Sequence, residues 1–439
     1  MASEAPLAGP FDSAHCVHCG LCVPSCPTFV VTGLESESPR GRVWLLERLA
    51  AGDIPADPDA VRYIDDCLDC RACEEVCPAH VPVGHYVERF RAAHPEWLSR
   101  GERDTARWVD RFLGSEAGLR AFGAAARFSR TPAGGWMVRQ ATRLVPGLPT
   151  GALDLAQGLP DEQAGGLSRD RIRTRPAGTG DGPVVMQFLG CVMDSVFAAT
   201  NVRTHDVLRA AGFRVVAPAA QRCCGALSVH TGDPAPARAW AKANIEAFEA
   251  SEAEAVAVNA AGCGAALKEY PDLLREEGPA WVARAERFAR AVRDVSELLE
   301  AGSFPVLPPR AETVTMHDAC HLAHAQGIRQ PPRALLERAG YRLVEMPDAD
   351  RCCGSAGVYN LTHPEMARAL QALKVADIPE TADVVATGNP GCQLQIQAGL
   401  RRAGRSVPVR HTVDLLWQAL ADAGRLPEDV REEAGRRGT

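Results

Sequence analysis

The stretch CVHCGLCVPSCP at residues 16–27 spells C-x2-C-x2-C-x3-C-P, and CLDCRACEEVCP at residues 67–78 spells it again, 51 residues later. Three closely spaced thiolates can wrap one iron–sulfur cubane, and the fourth cysteine of such a run reaches across to a second cluster. The doubled run therefore predicts two 4Fe-4S clusters. One is held by Cys16, Cys19, Cys22 and Cys77, the other by Cys67, Cys70, Cys73 and Cys26. Pro27 and Pro78 turn the chain away after each fourth cysteine. A pair of zinc sites is the competing reading, because C-x2-C is also a zinc knuckle. Zinc usually takes two such pairs, without the third cysteine and the C-P tail.

The other eight cysteines form a repeat. Cys191, Cys223, Cys224 and Cys263 recur as Cys320, Cys352, Cys353 and Cys392, each 129 residues on, and Gly225 and Gly262 recur as Gly354 and Gly391 at the same offset. A constant offset over six positions indicates a duplicated domain of roughly 130 residues. Each copy alternates strand-like and helix-like runs, PVVMQFLGC, VRTHDVLRAAG, FRVVAP and EAVAVNAAGC in the first, with the outer strand-like runs finishing on a cysteine. That places the thiols at the carboxyl ends of a parallel sheet. Adjacent cysteines followed by glycine suit a metal only on a bent backbone, which Gly225 and Gly354 allow. Four thiols per copy match a cubane or a zinc ion, and buried structural cysteine is the alternative.

The C-x31-CCG-x37-C pattern, present twice, resembles the cysteine-rich CCG domain of heterodisulfide reductase subunits and hydroxyacid oxidoreductases. Between the N-terminal runs, PRGRVWLLERLAAG sets Val43, Leu46 and Leu49 with Trp44 and Leu45 at helical spacing. This is similar to a helical ferredoxin domain of the succinate dehydrogenase iron-sulfur type. Two ferredoxin motifs ahead of two CCG domains, with CVHCGLCVPSCPT, SPRGRVWLLERL, QRCCGALSVHTG and CGSAGVYN, resemble the glycolate oxidase iron-sulfur subunit over essentially the whole chain. The expected fold is multidomain, a helical 4Fe-4S ferredoxin domain at 1–99, a connector and linker at 100–181, α/β CCG domains at 182–305 and 306–425, and a polar tail at 426–439. One departure stands out. Full CCG motifs close with C-x2-C, whereas Ala266 and Gln395 occupy the places of a fifth thiol.

The resemblance implies an iron–sulfur electron-transfer subunit of a flavin-dependent 2-hydroxyacid dehydrogenase, with glycolate as first substrate. FAD is expected on partner hydroxyacid oxidase subunits only, the acceptor is expected to be a quinone, and no catalytic residue is assigned to this chain. Relays for lactate or glycerol 3-phosphate, and a heterodisulfide-reductase-like thiol oxidoreductase, are the alternatives. The chain itself carries no G-x-G-x-x-G after a strand, no Walker A loop and no G-x-S-x-G. Clusters without a hydride or nucleotide site point to a separate flavoprotein.

The 439 residues, 46% hydrophobic and 23% charged, are enough for two or three domains with a sizeable core. No apolar run approaches the roughly 18 residues of a membrane span. MASEAPLAGPFDSAHC lacks the features of a secretory signal. Sixteen thiols in a reducing compartment argue for metal chemistry over disulfides, so the expected location is the cytoplasm or the inner face of the cytoplasmic membrane. Residues 1–99 hold 7 basic and 15 acidic side chains, 7 − 15 = −8. This is no nucleic-acid footprint and suits a basic protein partner.

Several residues admit two readings. Arg40 and Arg42 are surface charges or contacts to a partner or cluster. His317, His321 and His324 around Cys320 either supply a ligand or proton carrier or hydrogen-bond backbone at a strand end, and the first copy has no matching set. His15 and His18 are expected to donate near sulfur rather than bind iron. Residues 100–143 carry nine arginines against four acids, with Trp108, Phe112, Phe122, Phe128 and Trp136 interleaved. They form a docking surface for a subunit or anionic lipid, or an amphipathic connector packed on the core.

Overall fold

The computed structural model describes residues 16–97, 104–105, 107–108, 112–144, 156, 158–160, 165–178 and 182–437. The N-terminal domain is helical, with α1 (Pro27–Thr32), α2 (Pro39–Ala51), α3 (Pro58–Asp65), α4 (Ala72–Glu75) and α5 (Val83–Ala93). The first three each begin on proline, whose fixed φ suits a helix start. Ser38 and Asp57 cap α2 and α3 by accepting from the backbone N–H groups of Gly41 and Ala60. Val43, Leu45, Leu46 and Leu49 are buried against Ile64, Val87 and Phe90, as the helical spacing requires, while Trp44 stays nearly half exposed.

The duplicated half folds as two parallel sheets. The first holds β1 (Val184–Gln187), β2 (Arg214–Val216), β3 (Ala255–Val258) and β4 (Val292–Asp294) in the order β2-β1-β3-β4. The second holds β5 (Thr313–Met316), β6 (Arg342–Leu343), β7 (Val384–Thr387) and β8 (Val409–His411) in the order β6-β5-β7-β8. Helices cover both faces, so the strands read as apolar runs rather than alternating ones, and β7 is buried along its whole length.

The sequence repeat and the structural repeat part company at the last strand. β5 lies 129 residues after β1, but β8 lies 409 − 292 = 117 after β4. The first copy carries a longer segment there, including the helix Pro279–Ala291. The fourth strand of each copy is absent from the sequence reading, because VRD and VRH are three-residue edge strands with a charged centre.

The two sheets share one core. The helices Ala198–Ala210 and Thr412–Asp422 pack together, with Val207, Leu208 and Ala211 against Val413, Leu416 and Leu420. Polar links reinforce the seam. Asp414 accepts from Thr200 Oγ1 at 3.0 Å and from Arg203 at 3.1 Å, and His411 Nε2 donates to the Asn259 carbonyl at 2.7 Å. The stretch read as a polar tail carries the helix Glu428–Arg437, with Leu426 and Val430 buried in that core and Asp429 paired to Arg209 at 2.8 Å. Of the connector, the helix Glu116–Ser129 buries Leu119 and Ala126 on the first sheet domain, while Trp108, Phe128 and Trp136 are exposed. Half of the linker at 144–181 lies outside the described residues, and the rest includes the short helix Ser168–Ile172, with Leu167 and Ile172 buried. Among the described residues no helix is long and apolar enough to cross a membrane.

Asp294 ends β4 and caps the helix Val295–Ala301 in a capping box with Glu297. Burial pushes its carboxyl up to about 6, against donations from Ser296. Because the folded value lies above the ordinary one, the ionised form costs stability above pH 6, and stability returns as pH falls through 6. Asp294→Asn keeps an equally good cap and removes the charge. It should raise stability at pH 7.5 by about 1–2 kcal/mol, within the roughly 3 kcal/mol that two pKa units represent, and flatten the pH dependence between 7 and 5. Thermal melts at both pH values check this, and equal destabilisation at both would show that the carboxylate is needed.

Candidate metal centres

The two N-terminal cysteine runs share a backbone as well as a spacing. His18 and Asp69 have φ of 52° and 51°, and Gly20 and Arg71 have φ of 83° and 62°, each pair at the 51-residue offset. Left-handed residues inside a tight loop turn successive N–H groups toward one centre and so build an anion cradle. The Asp69 N–H donates to Cys67 Sγ at 3.4 Å, and the His18 N–H does the same for Cys16. Non-glycine residues in this conformation are uncommon. Here they aim donors at sulfur, which is what a negatively charged iron–sulfur cluster requires of its cradle.

The folding of the domain interlaces the runs. Cys77 sits with Cys16 and Cys22, whose thiols are pushed up by burial and further by the neighbouring sulfurs. A cavity of about 40 Å³ lies among Cys16, Cys19, Cys22, Cys73 and Cys77. Cys26 sits with Cys67, Cys70 and Cys73, and burial is the first cause that raises the thiols of the latter three. The environments differ sharply. The first group opens to solvent, with Cys19 exposed and flanked by Val17 (78% exposed) and Leu21 (62%). Cys26 and Cys70 of the second group are buried.

Arg42 resolves its two readings in favour of a cysteine contact. It is 1% exposed, and its guanidinium lies 3.5 Å from Cys26 Sγ while donating to the Glu37 carbonyl (2.6 Å), Glu37 Oε2 (2.8 Å), Thr28 Oγ1 (3.0 Å) and the Tyr63 carbonyl (2.8 Å). A buried charge is tolerated when it is so fully bonded. Arg40 is a surface residue paired with Glu35 at 2.7 Å. His18 pairs with Glu47 at 3.3 Å, and His15 lies outside the described residues.

In both sheet domains all four thiols gather at the carboxyl edge. Each strand ends a few residues before its cysteine, which opens the following helix: Cys191 caps Val192–Ser195, Cys320 begins Cys320–Ala323, and Cys263 and Cys392 lie in the first turns of Ala261–Lys268 and Pro390–Arg402. Cys191 and Cys223 approach to 3.5 Å between sulfurs. Gly225 and Gly354 have φ of 88° and 83°. A Cβ at Gly225 would meet Ala237 Cβ at 2.6 Å and one at Gly354 the Ala367 carbonyl at 2.7 Å, so these glycines set both the bend and the packing beneath it.

The histidines around Cys320 divide. His324 behaves as a strand-end residue, with Nε2 3.2 Å from the Asp350 carbonyl and Nδ1 on Glu75. His317 does not. Its backbone N–H completes the sheet to Ala386, but its fully buried ring makes no well-formed hydrogen bond at either nitrogen among the described residues, the Ala349 backbone offering only a poorly placed partner. It lies with Cys353 and Cys392 so that one donor atom from each falls within 4.8 Å of the others. An orphaned buried imidazole is costly, and a metal ion beside those thiols would satisfy it.

The second N-terminal group and the second sheet-domain group adjoin. Cys70 and Leu68 pack with Cys352, Cys320, Tyr359 and Leu370 in one cluster. The contact is pinned by Tyr359 Oη donating to the Asp66 carbonyl at 3.0 Å and by Arg329 on Glu75 at 2.7 Å.

Residues 12–81 match the 4Fe-4S dicluster domain family, and residues 185–268 and 314–397 each match the cysteine-rich (CCG) domain family. Over 420 residues the chain is 37% identical to a protein of Bacillus subtilis called "Probable glycolate oxidase iron-sulfur subunit", covering 92% of this chain and 93% of that one. It is 30% identical over 413 residues to the "Glycolate oxidase iron-sulfur subunit" of Escherichia coli, at 92% and 93% coverage. A third relative, "Lactate utilization protein A" of Oceanobacillus iheyensis, is 32% identical over 236 residues, 53% of this chain and 96% of its own.

Arg42 and Arg40 offer a controlled comparison. Arg42→Leu leaves Glu37 buried without its partner and should cost about 3–5 kcal/mol, with loss of iron from the N-terminal domain. Arg40→Leu removes an exposed pair and should cost under about 1 kcal/mol. Thermal melting with iron analysis tests both, and an Arg42→Leu protein as stable and iron-rich as Arg40→Leu would refute the role given to Arg42.

Proposed function

Because the chain belongs to the family of glycolate oxidase iron-sulfur subunits, we propose that it is the electron-transfer subunit of a 2-hydroxyacid dehydrogenase acting on glycolate. The substrate carbon is oxidised at FAD on partner subunits. Cys16, Cys19, Cys22 and Cys77 hold one 4Fe-4S cluster, and Cys67, Cys70, Cys73 and Cys26 hold the other. Cys320, Cys352, Cys353 and Cys392 hold a further metal centre, with the His317 imidazole as an added donor in place of the missing fifth thiol. Cys191, Cys223, Cys224 and Cys263 form the corresponding set of the first copy, for iron–sulfur or zinc. Clusters of this kind, when bound, supply single-electron acceptance and release, here from the flavin toward a quinone-type acceptor. The chain works in the cytoplasm or at the inner face of the cytoplasmic membrane.

The observation that carries this reading is the line of thiol groups. It starts at the exposed Cys19, flanked by Val17 and Leu21, and continues inward to Cys70, which shares one buried cluster with Cys352. The apolar, open rim around the first group suits the docking of a redox partner in an acidic domain. The buried second group, with Arg42 beside Cys26, keeps water from the thiols and balances their charge. The match to "Lactate utilization protein A" favours lactate as the second substrate reading.

Protein purified anaerobically should hold at least about eight irons per chain, as two cubanes require. Four or fewer, with zinc in their stead, would sink the relay. His317→Ala should remove metal from the second sheet domain while leaving the two N-terminal clusters, read by their reduced-state magnetic resonance signals. The isolated chain should reduce no artificial dye with glycolate, and activity should appear on adding the flavoprotein subunits. Dye reduction by the chain alone would place the substrate site on this polypeptide and overturn the assignment.

A further inference from the structure

A second set of metal-binding side chains lies beside the cysteine groups, with His321 Nδ1 3.5 Å from Cys320 Sγ, where the N-terminal domain meets both sheet domains. Asp69 comes from the loop between Cys67 and Cys70, His230 ends the short helix after Cys223-Cys224-Gly225, and His321 follows Cys320. One donor atom from each falls within 4.8 Å of the others. His230 Nδ1 lies 2.8 Å from Asp69 Oδ2 and 2.8 Å from Glu88 Oε1. His321 Nε2 is buried and has no hydrogen-bond partner among the described residues.

Hydrogen bonding alone accounts poorly for this arrangement. A single N–H points along one direction, so it cannot satisfy two carboxylate oxygens equally. A metal ion has no such restriction. With metal–donor distances of about 2.1 Å, neighbouring donors at right angles stand about 3 Å apart, close to the spacing around His230. Charge points the same way. Asp69, Glu74, Glu88 and Glu269 all lie within 4 Å of Arg71, a single buried guanidinium. The other basic groups in reach are His85, 3.2 Å from Glu88 and 3.8 Å from Glu269, and His230 itself, 2.8 Å from Glu88. The backbone also makes room for the cluster, since a Cβ at Gly84 would fall 2.0 Å from Asp69 Oδ1 and 2.4 Å from Arg71 Nε.

We propose that Asp69, His230 and His321, with Glu88 beside them, bind a divalent transition-metal ion of the zinc–iron class that staples the three domains together. Two imidazoles and a carboxylate are the donor set such ions favour, with positions left for Glu88 or water. The three ligands come one from each domain, so the ion closes the junction at which Cys70 meets Cys352. It is distinct from the thiol-bound centres and does not depend on the electron-transfer reading.

The test uses the cluster-loaded full chain, washed with chelator and given Zn²⁺. Crystals measured above and below the zinc absorption edge should show an anomalous peak bounded by Asp69, His230 and His321. Zinc affinity at that site should fall at least tenfold in His321→Gln and in His230→Gln, with acid-labile sulfide unchanged. Absence of the peak in wild-type crystals overturns the proposal whatever the variants do. Full zinc affinity in both variants overturns it as well, and if a variant fails to retain its clusters the wild-type map decides.

Discussion

Sulfur brought to one point as thiolate must be neutralised and kept dry, and that constraint shapes the N-terminal domain. Desolvation raises the thiols of Cys22, Cys67, Cys70 and Cys73, so bare thiolates are unfavourable in this fold. The opposing contributions are all local. Left-handed residues at matched places in the two loops turn N–H groups onto Cys16 and Cys67. Arg42 places a positive charge beside Cys26 and is held there by four oxygen acceptors. The helices around these loops are short because the loops dictate where they may start, and three of them use proline to start there.

The duplicated half answers the same constraint differently. A parallel sheet ends in helix starts and loops at its carboxyl edge, and both copies use that edge to bring distant cysteines together. The bend at each Cys-Cys-Gly is a property of glycine, since both glycines sit at positive φ with another helix against the place where a side chain would be. The N-terminal domain then docks by contacts to both copies. Arg91 reaches the His230 carbonyl at 2.9 Å in the first, and Glu75 takes Arg329 and His324 in the second.

Much of this was legible in the sequence for one reason: cysteine spacing is a local record of a three-dimensional requirement. The interlaced grouping, the duplication and the position of thiols at strand ends all follow from counting residues between cysteines. What was not legible lacks such a record. Asp69, Arg71, Glu88, His230, Glu269 and His321 are scattered over some 250 positions, and only tertiary packing makes neighbours of them. Arg42 reads as one more charge on an amphipathic helix until Glu37 and Tyr63 are seen to close over it. The fourth strands were missed because three residues with a central arginine carry no periodic signal.

The two CCG copies are equal in thiols and unequal in everything around them. At the 129-residue offset, His317 corresponds to Phe188, His321 to Val192 and His324 to Ser195. Phe188 and Tyr270 close the first group, and the packed neighbours of Cys191, Cys223 and Cys224 among the described residues come from their own domain and the connector. In the second copy Lys374 lies close enough to His317 to oppose a charge on its buried ring, and Cys352 shares a buried cluster with Cys70. The two cradles thus share a pattern of thiols and differ in what surrounds it. The first cradle is lined by aromatic rings, and the helix that carries Cys263 packs against the one that Cys320 opens, so the two copies adjoin. The second offers imidazole donors and shares a buried cluster with the N-terminal Cys70. Neither copy has a fifth cysteine, and among the described residues it is the second that sets a nitrogen donor against two of its thiols.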